Sequence, residues 1–150
     1  MIVIRKALPK DIPAIIDFQK RMAWETEQLT LDDTLVTQGV KAVFENPSRG
    51  QYYISEDNDT VIASLLITPE WSDWRNTEVW WFQSVYVLPG YRRTGIFRSM
   101  YAYVKETAEK SGIAGLRLYV ETNNHIAQTT YESLGMTGSH YRMLEWLRDY

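Results

Sequence analysis

The chain has 150 residues, of which 45% are hydrophobic and 23% charged, a balance that suits a soluble globular protein and argues against disorder. There is no cysteine, which excludes disulfides, thiolate metal sites and a cysteine nucleophile, and with only His125 and His140 no multi-histidine metal centre is expected. A net charge of −3 argues against a nucleic-acid partner but leaves room for a local basic pocket.

Met1 to Lys6 begins with apolar residues but lacks the h-region and cleavage pattern of a signal peptide, so Ile2–Arg5 reads as a first strand. Pro9, Asp11 and Pro13 then suit a helix's first turn, and Ile15, Phe18 and Met22 follow at helical spacing, carrying that helix to Glu25. A second helix is predicted over Asp32–Phe44, with Leu35, Val36, Val40 and Val43 on one face, ended by the turn Asn46-Pro47-Ser48-Arg49-Gly50. Gln51–Ser55 and Thr60–Thr68 read as a hairpin around Glu56-Asp57-Asn58-Asp59. Glu78–Val87 is a longer strand that is apolar on both faces: Val79, Trp81, Val85 and Val87 alternate with Trp80, Phe82 and Tyr86. That pattern suits a central strand covered on both sides.

Pro89-Gly90 breaks the strand, and a helix runs over Gly95–Lys110 with Ile96, Met100, Val104 and Ala108 as its inner stripe. Leu116–Glu121 reads as a strand, Ile126–Leu134 as a short helix stopped by Gly135, and His140–Leu147 as a last strand. No repeat, low-complexity tract or linker interrupts the order, so residues 1–150 are expected to form one α/β (α+β) domain. No stretch approaches the about 20 apolar residues that span a bilayer, so a cytoplasmic location without a membrane partner is expected.

The segment with most chemistry in it is Val85-Tyr86-Val87-Leu88-Pro89-Gly90-Tyr91-Arg92-Arg93-Thr94-Gly95-Ile96-Phe97-Arg98. It joins the end of a buried strand to a helix start through a basic turn that contains glycine. N–H groups at a helix start and the positive end of the helix dipole make a site for phosphate oxygens. Arg92, Arg93 and Arg98 add charge, and Gly95 lets a ligand approach the backbone closely. An ordinary exposed strand–helix turn fits the spacing equally well.

At these residues the chain resembles the GNAT acetyltransferases, whose signature is Gln/Arg-x-x-Gly-x-Gly/Ala after a strand and a proline-containing turn. Arg92-x-x-Gly95-x-Phe97 meets the first two anchors and departs at the third. A second motif of that family, Asn-x-x-Ala-x-x-x-Tyr-x-x-x-Gly-Phe/Met, stands here as Asn124, Ala127, Tyr131, Gly135 and Met136. The resemblance implies a mixed, mostly antiparallel central sheet of six to seven strands with helices on both faces. It also implies acetyl-CoA as cosubstrate, with backbone groups of Val85, Tyr86 and Val87 pairing with the pantetheine arm. The pyrophosphate would rest on the amides of Arg93, Thr94, Gly95, Ile96, Phe97 and Arg98, beside Arg92. Phe97 stands where such proteins carry a small residue, so its ring is expected to pack inward.

Acetyl transfer to an amine needs a neutral nitrogen, a stabilised oxyanion and a proton for the departing thiolate. With an alkylammonium pKa of about 10.4, about one molecule in a thousand is neutral at pH 7 without help. Backbone N–H groups near Val85 are the candidates for the oxyanion. On helical spacing alone Tyr131 reads as a packing tyrosine; the resemblance implies a general acid at this position. Asn124 could bond the pantetheine arm or cap the helix that follows. The base is open among Glu78, Glu25, Glu27, Asp32, Asp33 and Glu121, or water alone.

On the acceptor side, Trp71, Trp74, Trp80, Trp81, Phe82 and Tyr86, with Asp73 and Arg75 between them, suggest either an aromatic, acid-lined pocket for a cationic amine or hairpin packing. Glu25 and Glu27, with Trp71 and Trp74, are the candidate acceptor contacts. The sequence thus points to an N-acetyltransferase acting on a small-molecule or protein amine. A non-catalytic acyl-CoA-binding or sensing domain is the alternative. The aromatic segment Tyr141–Tyr150 could cover a sheet edge internally or pair with a second subunit; the resemblance implies that a homodimer is possible.

Overall fold

A computed structural model of the chain describes residues 1–138 and 140–148. Its elements follow in the order β1 (Ile2–Lys6), α1 (Ile12–Glu27), α2 (Asp33–Glu45), β2 (Gln51–Asp57), β3 (Thr60–Ser72), β4 (Thr77–Val87), α3 (Ile96–Lys110), β5 (Gly115–Arg117) and α4 (His125–Ser133). The chain divides into two compact units, Met1–Arg117 and Leu118–Tyr150.

In the first unit the strands form one sheet in the order β1-β2-β3-β4-β5. Neighbours run antiparallel except β4 and β5, which are parallel. The mixed, mostly antiparallel α/β class agrees with the sequence, but among the described residues the sheet has five strands, not six or seven. Two expectations account for the difference. The strand expected over Leu116–Glu121 is reduced to Gly115–Arg117, and residues 140–148 form no strand. Alternating side chains do not make a strand without a neighbouring backbone to bond, and no ladder reaches this segment among the described residues. Tyr150 lies outside the described residues.

Turn chemistry sets the long hairpin. Asn58 and Asp59 both have positive φ, 47° and 68°, as a two-residue turn with the twist of its strands requires. β3 and β4 then run on to Ser72 and Thr77, longer than the sequence suggests, because Trp71 still pairs with Glu78.

The two faces of the sheet are covered by different helices. Ile15 of α1 and Val40 of α2 are buried with Tyr52 and Ile54 of β2, and Phe44 stacks on Tyr52 with ring centroids 5.8 Å apart. On the other face Tyr103 of α3 meets Tyr53 edge-on at 6.0 Å, and the stripe Ile96, Met100, Val104 and Ala108 is buried as its spacing predicts. Burying a side chain such as Met100 or Val104 contributes about 1.5–3 kcal/mol relative to leaving it exposed. α3 is therefore held along its length, and its first turn is a fixed platform.

One polar cluster ties β1, β2 and the entry to α1. The Arg5 guanidinium donates to both Asp11 oxygens, at 2.8 and 3.1 Å, and to Glu56 at 3.1 Å, while the Leu8 N–H donates to Asp11 at 2.7 Å. Asp11 is 4% exposed. Burial alone would raise its pKa, but the Arg5 and Leu8 hydrogen bonds outweigh it and hold the carboxyl below its usual value. Because the folded value lies below the unfolded one, the stabilisation is complete above the unfolded pKa of about 3.9 and is lost as pH falls through the folded value. Asp11→Asn is therefore expected to cost about 1.5–3 kcal/mol in urea unfolding at pH 7. The deficit should shrink below pH 4; a constant deficit down to pH 2 would contradict the ionised pair.

Candidate active site

The site begins with an irregularity in β4. Ser64 of β3 pairs with Tyr86, whereas Leu66 pairs with Gln83. One residue of β3, Leu65, therefore stands opposite two of β4, Ser84 and Val85, and Ser84 takes up the extra length with φ 51°. This β-bulge breaks the strict alternation read from the sequence. Phe82 faces α3, stacked on Tyr101 at 5.5 Å, whereas Tyr86 faces α1, its ring 5.1 Å from that of Phe18. Phe82 and Tyr86 are thus on opposite faces, because one inserted residue reverses every later side chain.

The bulge lies where β4 loses its neighbour on one side. The ladder to β5 covers only Val79, Trp80 and Trp81, so among the described residues the strand from Phe82 to Val87 has no partner from β5. Val85, Tyr86 and Val87 therefore present main-chain groups along an edge that another extended chain could pair with.

The edge leads directly into the basic turn. Pro89–Tyr91 forms a single 3₁₀ turn, and the Tyr91 hydroxyl donates to Asp57 at 2.8 Å, fastening the turn to the β2–β3 hairpin. Arg93 and Gly95 then take left-handed conformations, φ 63° and 85°, and the Thr94 hydroxyl bonds back to the Tyr91 carbonyl. Such left-handed residues turn successive N–H groups toward one concave surface. The ladder of α3 begins only with Ser99 N–H to the Gly95 carbonyl at 3.0 Å, so the N–H groups ahead of it project from the helix end. No acid stands in the first turn of α3, and its cap residue Gly95 has no side chain to fill the space. By contrast, the Asp32 carboxylate caps α2 through Leu35 N–H at 2.9 Å. The start of α3 thus has the donors, dipole and open space that an anion needs.

Phe97 does not obstruct that space. Its ring meets Phe82 edge-on at 6.0 Å and lies 6.3 Å from Tyr101, so it belongs to the cluster between α3 and the sheet. Ile96 is buried beside it, whereas Arg98 is exposed.

Arg92 points elsewhere. Its Nε donates to the Val87 carbonyl at 2.8 Å, its Nη2 lies 3.2 Å from a Glu25 oxygen, and its guanidinium stacks 5.3 Å above the centre of the Tyr86 ring. The two charged side chains are 44% and 37% exposed, and a pair this open contributes about 0–1 kcal/mol. Tyr86 itself is 4% exposed, with its hydroxyl beside the Glu25 carboxylate. Burial, and then the nearby Glu25 carboxylate, raise its phenol above the ordinary value, against Arg92 and Arg21.

The remaining sequence candidates lie apart from this corner. Glu78 begins β4, where its carboxylate accepts the Trp80 indole N–H at 3.1 Å. Seven residues of strand separate it from Val85, roughly 20 Å at about 3.3 Å per residue, so the two are not brought together. Trp71 pairs with Glu78 and Trp74 stands in the adjoining turn; they are 62% and 92% exposed. Trp81 donates to Glu70 at 2.7 Å, and Arg117 holds the other Glu70 oxygen at 2.8 Å. These aromatic residues do not form one pocket with Glu25. Glu27 is exposed at the end of α1, and Asp33 is paired with Lys20. Sequence reasoning missed the hollow of about 340 Å³ lined by Lys20, Trp24, Leu29, Thr30, Leu31 and Asp33. No periodic signal marks such a loop.

In the second unit, Asn124 caps α4 by accepting the Ala127 N–H at 3.1 Å. Gly135, with φ 94°, closes the helix while the Met136 N–H reaches back to the Tyr131 carbonyl at 3.1 Å. This explains the Tyr131, Gly135 and Met136 spacing as a helix stop. Tyr131 is partly buried, which raises its phenol and keeps it protonated. Glu121 precedes this helix, its carbonyl bonded by Gln128 at 3.0 Å.

A bulged central strand, without a β5 partner at its exit among the described residues, thus leads into a helix start suited to an anion. Comparison with known proteins agrees. The profile of the acetyltransferase (GNAT) family matches residues 12–136. A possible acetyltransferase from Clostridium difficile 630 is 42% identical, over 100% of this chain and 99% of that one, and its structure superposes with a TM-score of 0.91. A predicted acetyltransferase from Clostridium acetobutylicum, solved with acetyl-CoA, is 22% identical over 100% of this chain and 96% of its own, with a TM-score of 0.76. An aminoglycoside N-acetyltransferase solved in complex with CoA is 14% identical over 99% and 96% of the two chains, with a TM-score of 0.80. The last two share the fold. No curated protein matches the sequence. The chain belongs to the GNAT acetyltransferase family.

Nothing lies within 4 Å of a Cβ built on Gly95, so its role in the turn is conformational. Gly95→Ala is expected to lower stability by about 1–2 kcal/mol through its left-handed φ alone. Gly95→Asn should lose less, since asparagine tolerates that region. Equal losses in thermal unfolding would show that space, not conformation, selects glycine.

Proposed function

We propose that this chain is an acetyl-CoA-dependent N-acetyltransferase that moves the acetyl group directly to a primary amine. One observation carries the reading: past the bulge at Ser84, β4 has no β5 partner among the described residues just where it enters an acid-free, arginine-bearing helix start. The edge and the helix end are in series, as an extended arm with a diphosphate at one end demands. The residues fit acetyl-CoA, because the amides opening α3 suit its diphosphate and the 85–87 backbone suits its arm. Family membership and the neighbour solved with acetyl-CoA support the same cosubstrate.

Acetyl-CoA would supply an activated acetyl group, and the reaction forms a C–N bond as the C–S bond breaks. The chain's part is positional and electrostatic. Main-chain N–H groups beside the bulge would stabilise charge growing on the carbonyl oxygen. Tyr131, held protonated by burial, is assigned the proton that the departing sulfur takes. The proton lost by the amine passes to water. Both units are read as parts of one catalytic domain.

Acetyl-CoA at 100 times its Kd should stabilise the protein by about 2.7 kcal/mol, read as a rise in Tm. Turnover with an amine panel is the second measurement. Tyr131→Phe should lower kcat by about 10²-fold or more while leaving CoA affinity unchanged. Absence of affinity for any CoA species would refute the assignment. Tight binding without turnover on any amine would favour an acyl-CoA-sensing domain.

A further inference from the structure

Three different acceptors converge on one guanidinium at the end of β4. The Glu25 carboxylate lies 3.2 Å from Arg92 Nη2, the Val87 carbonyl 2.8 Å from Nε, and the Tyr86 ring centre 5.3 Å from the guanidinium carbon. A carboxylate, a carbonyl and an aromatic face are together the groups that recognise an organic cation. The ring face belongs to a residue that is 4% exposed, so this corner is built into the core and not left to surface chance. Arg92 itself is bound by little beyond these contacts. It belongs to the turn that opens toward α3, where a diphosphate would offer its guanidinium a stronger anion.

We infer that Glu25 and the face of the Tyr86 ring form the subsite for an ammonium group of the acceptor, and that Arg92 fills this subsite until a diphosphate draws it away. The inference rests on the reading of the chain as an acetyl-CoA-dependent N-acetyltransferase, and it narrows the acceptor class. A carboxylate in contact with an ammonium favours its charged form and so keeps it unreactive. The nitrogen held at Glu25 is therefore not the nitrogen that is acetylated. The acceptor carries at least two amino groups, one held as a cation and one presented neutral to the thioester. Arg21, paired with Asp17 at 2.8 Å on α1, is a second cation near the same ring and sets the repulsion that a crowded polycation would meet.

The arrangement couples the two substrates. Whatever binds Arg92 elsewhere uncovers Glu25, so CoA should tighten diamine binding, and a diamine should tighten CoA binding by the same factor.

The test uses 1,5-diaminopentane and pentylamine, which share a reacting end and differ in the second ammonium. The wild type should favour the diamine in kcat/KM by about tenfold or more, one charge-assisted contact. Glu25→Gln, at an exposed carboxylate, should remove that preference by raising the diamine's KM while kcat, the pentylamine KM and CoA affinity stay within about threefold. Arg92→Ala should strengthen diamine binding measured by calorimetry without CoA, because the occupying cation is gone. Equal KM values for the two amines in the wild type, or equal losses for both in Glu25→Gln, would overturn the inference. If CoA binds but neither amine is turned over, calorimetry with CoA present decides: diamine binding weakened in Glu25→Gln upholds the subsite, and no diamine binding sinks it. Failure to bind CoA at all would instead sink the acetyltransferase reading.

Discussion

A single inserted residue in β4 sets the geometry of this protein's candidate site. Ser84 adopts a left-handed conformation that costs a non-glycine residue about 1–2 kcal/mol. The packing on both sides of it recovers that cost. Before the bulge, Phe82 locks onto Tyr101 and Phe97 of α3; after it, Tyr86 turns to Phe18 of α1. Were β4 regular, these rings four residues apart would fall on one face, leaving one helix without its aromatic contact. The same irregularity lies just beyond the last pair with β5, in the stretch of β4 that has no β5 partner among the described residues.

The turn that follows is fixed at both ends, and this makes its N–H groups usable. Tyr91 is tied to Asp57 on one side, and the buried stripe from Ile96 to Ala108 anchors α3 on the other. Between these anchors Arg93 and Gly95 carry the two left-handed conformations that curl the backbone. A preorganised cradle of this kind loses little freedom when an anion binds, so more of the interaction appears as affinity. Phe97 shows that the cradle depends on main-chain groups: a bulky side chain is accommodated because it turns to the core.

Much of this was legible in the sequence, and what was not has a physical reason. The helices α1, α2 and α3 could be read from apolar spacing, and the α3 stripe is buried residue for residue. The phosphate-type turn stood out because glycine, proline and arginine each have a specific role there. The bulge was not legible, since Ser84 carries no mark of positive φ and the alternation of Trp80, Phe82 and Tyr86 continues unbroken through it. Nor did the aromatic density of residues 71–82 reveal its division between the turn, the Glu70 cluster and the α3 face. Residues 140–148 show the opposite failure: the pattern of a strand is present, but a strand also needs a neighbouring backbone, which no local pattern encodes.

The sequence offered a choice of carboxylates, and position along β4 separates them. Glu78 and Glu70 serve the end of the sheet where β4 is still paired with β5, and each has an indole N–H to accept. Their charges are used in holding tryptophans, far from the bulge. At the other end the strand's exit meets Glu25, brought there by the last turns of α1 and met by Arg92. That turn of α1 reaches β4 because Phe18, two helical turns earlier, is buried against Tyr86. The aromatic pair therefore sets the position of the acid, and the bulge sets the position of the aromatic pair. Chemistry at the mouth of the site is thus traceable to one residue's backbone angle, through a chain of contacts in which each link is a packed ring or a hydrogen bond.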